Sequence, residues 1–111
     1  MGFAINPATK QMTITRGDSG ALLFTLKMDG AVYEMQEGDK IQFGVKQYYE
    51  DAECLIEKEY TENPFALCLV PADTKDLEFG SYKYDMQFVA ANGFTRTFLE
   101  KKTFRIMEEV V

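Results

Sequence analysis

The sequence contains no histidine, no tryptophan and only three prolines, and it carries two cysteines in 111 residues. Without histidine, neither a Ser-His-Asp nor a Cys-His catalytic arrangement can be built, and imidazole ligation of a metal is excluded. Basic residues are few: 12 against 18 acidic, giving a formal net charge of −6. Affinity for nucleic acid comes largely from neutralising phosphates with lysine and arginine. Here the only adjacent basic pair is Lys101-Lys102, so no nucleic-acid partner is expected. No apolar run approaches the ~18 residues needed to cross a bilayer as a helix. Met1 to Lys10 lacks a basic and then apolar leader, so neither a signal peptide nor a membrane partner is expected. That makes the cytosol the expected place of synthesis and leaves Cys54 and Cys68 as thiols.

What the chain does have is aromatic and aliphatic residues in alternation. Tyr82, Tyr84, Met86 and Phe88 are interleaved with Lys83, Asp85 and Gln87. In a strand this pattern separates a core face from a wet face, whereas a helix would scatter it around its axis. Lys40 to Lys46 alternates in the same way, with Ile41, Phe43 and Val45 inward. So does Ala21 to Met28, with Leu22, Phe24, Leu26 and Met28 inward and Thr25 and Lys27 outward. Phe65, Leu67 and Leu69 form a further apolar face. Phe94 to Leu99 and Thr103 to Met107 read as a closing pair of strands. Gln11 to Thr15 and Cys54 to Tyr60 are weaker strands.

The connections are rich in turn residues: Arg16-Gly17-Asp18-Ser19-Gly20, Met28-Asp29-Gly30, Glu37-Gly38-Asp39, Glu62-Asn63-Pro64 and Ala91-Asn92-Gly93. Glycine supplies positive φ there, and Asp or Asn bonds its own backbone. Asn92-Gly93 between alternating runs predicts a hairpin. The pattern predicts an all-β fold, an immunoglobulin-like antiparallel β-sandwich of seven or eight strands, with one short helical turn near residues 72–77. Residues 1–10 are expected to be poorly ordered or weakly paired, and residues 11–111 to form a single domain.

Candidate chemistry is sparse. No catalytic, cofactor-binding or metal-binding residue is assigned, so the chain is not expected to be an enzyme. Glu50-Asp51-Ala52-Glu53 is acidic but lacks the spacing and the glycine of a calcium loop. Arg16-Gly17-Asp18 matches the tripeptide that integrins read, and Gly-Asp-Ser-Gly also makes a good turn. Taking Glu62-Asn63 as the centre of a hairpin, Cys54 and Cys68 are about three positions out of register, too far for a relaxed disulfide. Phe3, Tyr48, Tyr49 and Phe79 fall off the core faces. They either cap the ends of the fold or form a contact surface, and Tyr48, Tyr49 and Phe79 are the candidate interaction residues. Leu77-Glu78-Phe79-Gly80-Ser81-Tyr82 places Tyr82 at a strand start, either as a tyrosine corner, its hydroxyl folded back onto the preceding backbone, or as a plain core tyrosine.

Several longer runs carry a resemblance. These are Thr15-Arg16-Gly17-Asp18-Ser19-Gly20, Asp29 to Lys46, Leu69-Val70-Pro71-Ala72-Asp73-Thr74, Leu77 to Met86, and Phe104 to Val110. Together they resemble small immunoglobulin-like virion proteins of phages and prophages of Gram-positive gut bacteria. They are similar to the N-terminal β-sandwich domain of baseplate upper proteins. The resemblance spans residues 12–110 and rests on turn and core motifs. It implies a virion component of a tail, baseplate or head fibre, acting by protein–protein contact, with other particle proteins or further copies of itself as partners. It departs from that pattern at Glu100-Lys101-Lys102, where small or proline residues are usual. The competing expectation is a carbohydrate- or host-receptor-binding module using Tyr48 and Tyr49 as a stacking platform.

Overall fold

The computed structural model describes residues 3–48 and 50–108. It is all-β apart from one helical turn. The strands are β1 (Phe3–Ile5), β2 (Met12–Thr15), β3 (Gly20–Phe24), β4 (Lys27–Met28), β5 (Ala31–Val32), β6 (Lys40–Lys46), β7 (Ile56–Tyr60), β8 (Phe65–Leu69), β9 (Gly80–Val89) and β10 (Thr95–Met107), with α1 (Pro71–Thr74) between β8 and β9. Six strands form one sheet in the order β1-β2-β10-β9-β6-β7, while β3 pairs with β8 and β4 with β5. Among the described residues no helix is long and apolar enough to cross a membrane.

The alternation read from the sequence sets the core. On β6 Ile41, Phe43 and Val45 are buried, and on β9 Tyr82, Tyr84, Met86 and Phe88 are buried. Phe65, Leu67 and Leu69 of β8 enter the same cluster from the opposite side, together with Met12, Ile14, Phe104 and Ile106. The large sheet curls, so that its ends approach the β3–β8 pair. At one end β1 lies so near β3 that a Cβ at Gly20 would collide with the Phe3 Cβ. At the other end the Cys68 N–H of β8 donates to the Tyr60 hydroxyl of β7 at 3.1 Å. An aromatic stack crosses this seam, with Tyr60 on Phe65 at 5.0 Å and Phe65 on Phe24 at 5.5 Å between ring centroids. Lys58 of β7 adds an ion pair to Asp73 of α1 at 3.0 Å.

The structure differs from the sequence reading in several respects. The sheet is mixed, because β2 runs parallel to β10, pairing Met12 with Phe104 and Ile14 with Ile106. There are ten strands among the described residues, since β1 and β5 add to the expected set and the expected Ala21–Met28 strand is broken into β3 and β4, the latter forming a short hairpin with β5. That hairpin turns through Asp29 and Gly30, both at positive φ, as a two-residue turn of the favoured hand requires. Phe94 to Leu99 and Thr103 to Met107 are one strand, not a pair. The Glu100-Lys101-Lys102 segment is a bulge within β10, with Lys101 at φ 54° and its N–H bonded to Asp85 Oδ1 at 2.7 Å. Finally, Glu62-Asn63-Pro64 does not close a β7–β8 hairpin. β7 pairs with β6 and β8 with β3, so the chain crosses there from one sheet to the other. The Asn92-Gly93 hairpin forms as expected, with the Gly93 N–H on Ala90 O at 2.9 Å and the Ala90 N–H on Phe94 O at 2.8 Å.

Candidate functional site

Of the predicted interaction residues, Tyr48 and Phe79 lie near the end of the sheet where β6 stops and β9 starts, Lys46 being opposite Lys83. Tyr48 is 58% exposed. Its loop is closed by two bonds, from the Tyr48 N–H to Asp51 Oδ2 and from the Asp51 N–H to Tyr48 O. Asp51 of the acidic segment thus serves as a turn-former. Tyr49 lies outside the described residues. Phe79, 45% exposed, is covered on one side by the Arg16 guanidinium, 4.2 Å above the ring centroid. Tyr48 and Phe79 are therefore held by separate loops. Tyr82, by contrast, is buried, and its hydroxyl donates to the Glu78 carbonyl at 2.7 Å, tying the start of β9 back onto the preceding loop.

Arg16-Gly17-Asp18 is bound into the fold rather than displayed. The Arg16 guanidinium donates to Leu77 O at 3.3 Å, the Gly17 N–H to Thr74 Oγ1 at 2.9 Å, and the Asp18 N–H to Thr15 O at 3.0 Å. Thr74 is fully buried, so this turn is fastened to α1 from within.

Across the outward face of the large sheet runs a shallow groove of about 570 Å³, lined by residues that include Gln42, Gly44, Cys54, Glu57, Asp85 and Gln87. Gln42, opposite both Glu59 and Gln87, donates to Glu59 at 3.4 Å and accepts from Gln87 at 2.8 Å. Lys40 pairs with the same Glu59 at 3.4 Å. The polar side chains thus satisfy one another in a ladder across three strands. Gly44 makes room for Cys54, since a Cβ at Gly44 would lie 2.7 Å from the Cys54 sulfur. Burial, and next the charge of Glu57, push the Cys54 thiol up from its ordinary value. That direction favours the protonated, poorly nucleophilic thiol. Among the described residues no group of three or more Asp, Glu or Cys side chains is placed to hold a metal ion.

The other outward face is of a different kind. On the β3–β8 pair, Ala21 is opposite Cys68 and Leu23 opposite Ala66, and all four are exposed. Leu23 is 76% exposed, and Val70, just beyond β8, is 49% exposed. From Ser19 to Leu26 and from Asn63 to Ala72 no residue carries a charge. The sequence reading missed this face because it assigned outward positions by polarity, and Leu23 is an apolar residue at an outward position. The available signal was the alternation itself, which gives Leu23 the parity of Thr25. Cys68 has the opposite parity to Leu67 and Leu69 in the alternation, and it is exposed.

No protein family, curated protein or solved structure matches the chain.

Proposed function

We propose that the chain is a non-catalytic structural or adaptor module of a phage or prophage particle, in its tail, baseplate or head fibres, and that it works through protein–protein contacts. The observation that carries the contact half of this reading is the uncharged outer face of β3–β8 on a chain of net charge −6. Exposed apolar patches on small domains mark interaction surfaces. The resemblance in turn and core motifs carries the virion half. The finer fold assignment is an immunoglobulin-like sandwich. The Tyr82 hydroxyl bond to Glu78, in the manner of a tyrosine corner, and the shared core of two facing sheets support it. The parallel β2–β10 pairing is the point at which it departs from the antiparallel scheme.

The test is the protein composition of density-gradient-purified particles released from the host that encodes this chain. The chain is expected to band with the particle proteins in a constant ratio across fractions. A chain confined to the soluble lysate would refute the reading. A second reading, carbohydrate or receptor binding, is favoured by the exposed ring of Tyr48. A glycan array with the wild type and Tyr48→Ala separates the two, because only sugar stacking makes the signal depend on that ring.

A further inference from the structure

The β3–β8 face has a shape as well as a polarity. Ala21, Ala66 and Cys68 are small, and Leu23 is the one large side chain among them, set toward one end. The face is therefore a knob beside a shallow floor. A two-fold axis lying between two such faces, perpendicular to the strands, reverses the strand direction. It places Leu23 of each copy over Ala21 and Cys68 of the other, as an isologous contact requires. Electrostatics selects the same face for contact between copies. Two copies that each carry −6 repel wherever their acidic surfaces meet. The polar outward face of the large sheet presents Glu57, Glu59 and Asp85, whereas β3 and β8 bring no charge to a contact at all.

We propose that the outer face of β3–β8 is a self-association surface, and that its occupant is the same face of a second copy of this chain. This deepens the reading of the protein as a contact module and rests on it. Two five-residue strands offer a smaller area than the ~800 Å² per partner of standard interfaces. The dimer is accordingly one that forms on concentration and dissociates on dilution, as suits subunits that are brought together by a larger assembly.

Sedimentation velocity across a dilution series up to about 1 mM, the weak end of measurable association, tests it. The wild type is expected to move from monomer toward dimer mass. Leu23→Glu is expected to remain monomeric over the whole range, because it brings a carboxylate onto the floor of the partner copy. Ala21→Lys, which fills that floor, does the same. Leu55→Glu, at an exposed apolar residue outside β3 and β8, keeps the wild-type curve. Position 23 is exposed, so Leu23→Glu retains the wild-type circular dichroism and melting curve. A wild type that is monomeric throughout overturns the proposal, and so does a Leu23→Glu variant that dimerises like the wild type. Neither result touches the virion reading, which is decided by particle composition.

Discussion

The Asn63 side chain bonds both backbone groups of Leu26: its Oδ1 accepts from the Leu26 N–H and its Nδ2 donates to Leu26 O, each at 2.8 Å. The same Nδ2 donates to Tyr33 O at 2.6 Å. One amide thus acts as a length of neighbouring strand for residues that leave β3, and this is what turns the chain after β7 across to β8. Asn63→Ala is predicted to lower the unfolding free energy by about 2–4 kcal/mol, since it leaves part-buried backbone groups unpaired. Asn63→Asp fares no better, because a carboxylate cannot donate to the two carbonyls. Urea unfolding of the three proteins checks this.

Asp39 has a similar role at the other side of that loop. It is buried and accepts bonds from the Tyr33 hydroxyl at 2.7 Å, the Gln36 N–H at 2.9 Å and the Ala91 N–H at 3.3 Å. The Tyr33 hydroxyl first, and then the Gln36 N–H, hold its carboxyl below the ordinary value, against an opposing effect of burial. A depressed carboxyl stabilises the fold above its unfolded pKa, and that stability is lost as the pH falls through the folded value. Melting temperatures measured from neutral pH down to about pH 2 are predicted to show wild type well above Asp39→Asn at neutral pH. The gap closes on acidification. A gap that is independent of pH would contradict this.

Tyr84 behaves in the opposite sense at the alkaline end. Its hydroxyl is the donor to Lys10 O at 2.6 Å, and burial pushes its pKa up to about 12. An unfolded tyrosine ionises near pH 10. The raised value therefore stabilises the fold below that pH, and the stability is lost as pH rises from about 10 to about 12. Phenolate absorbance is predicted to show a late-titrating tyrosine that Tyr84→Phe removes. The same substitution costs about 1–2 kcal/mol at neutral pH by leaving the Lys10 carbonyl unpaired.

Gly44 and Cys54 form a packed pair on the outward face of the large sheet. Gly44→Ala is predicted to cost about 1–3 kcal/mol, because the new methyl meets the Cys54 sulfur. In a Cys54→Ala background most of that cost disappears, since the Cys54 Cβ lies 3.8 Å away. Equal costs in the two backgrounds would show that the strain lies in the backbone instead.

The sequence carried β6 and β9 almost residue by residue, because both have a buried and a polar face and period-two alternation then fixes which side chains go inward. It did not carry the crossing at Asn63, since a hairpin and a sheet-to-sheet crossing use the same turn residues. What distinguishes them is a bond to Leu26, distant in the chain, that local pattern cannot express. Nor did it carry the continuity of β10, where Lys101 takes positive φ without being glycine and is stabilised from β9 by Asp85. Of the candidate surface residues, the aromatics were picked by type, yet Tyr48 and Phe79 belong to separate loops and Phe79 has Arg16 over its ring. Leu23, the most exposed large apolar side chain among the described residues, is obscured in the sequence because inward and outward residues are both leucines at positions 22 and 23.

Cys68 sits within the β3–β8 face and Cys54, half-buried, on the opposite one, so the two thiols report on the two sides of the molecule. The most direct measurement is maleimide labelling of Cys68, read by mass spectrometry, in the dilute isolated chain and in gradient-purified particles. The account predicts that the chain is present in the particles, and that Cys68 labels readily in the free chain and is protected in the assembly. Absence of the chain from the particles, or a Cys68 that labels equally fast in both, would contradict it.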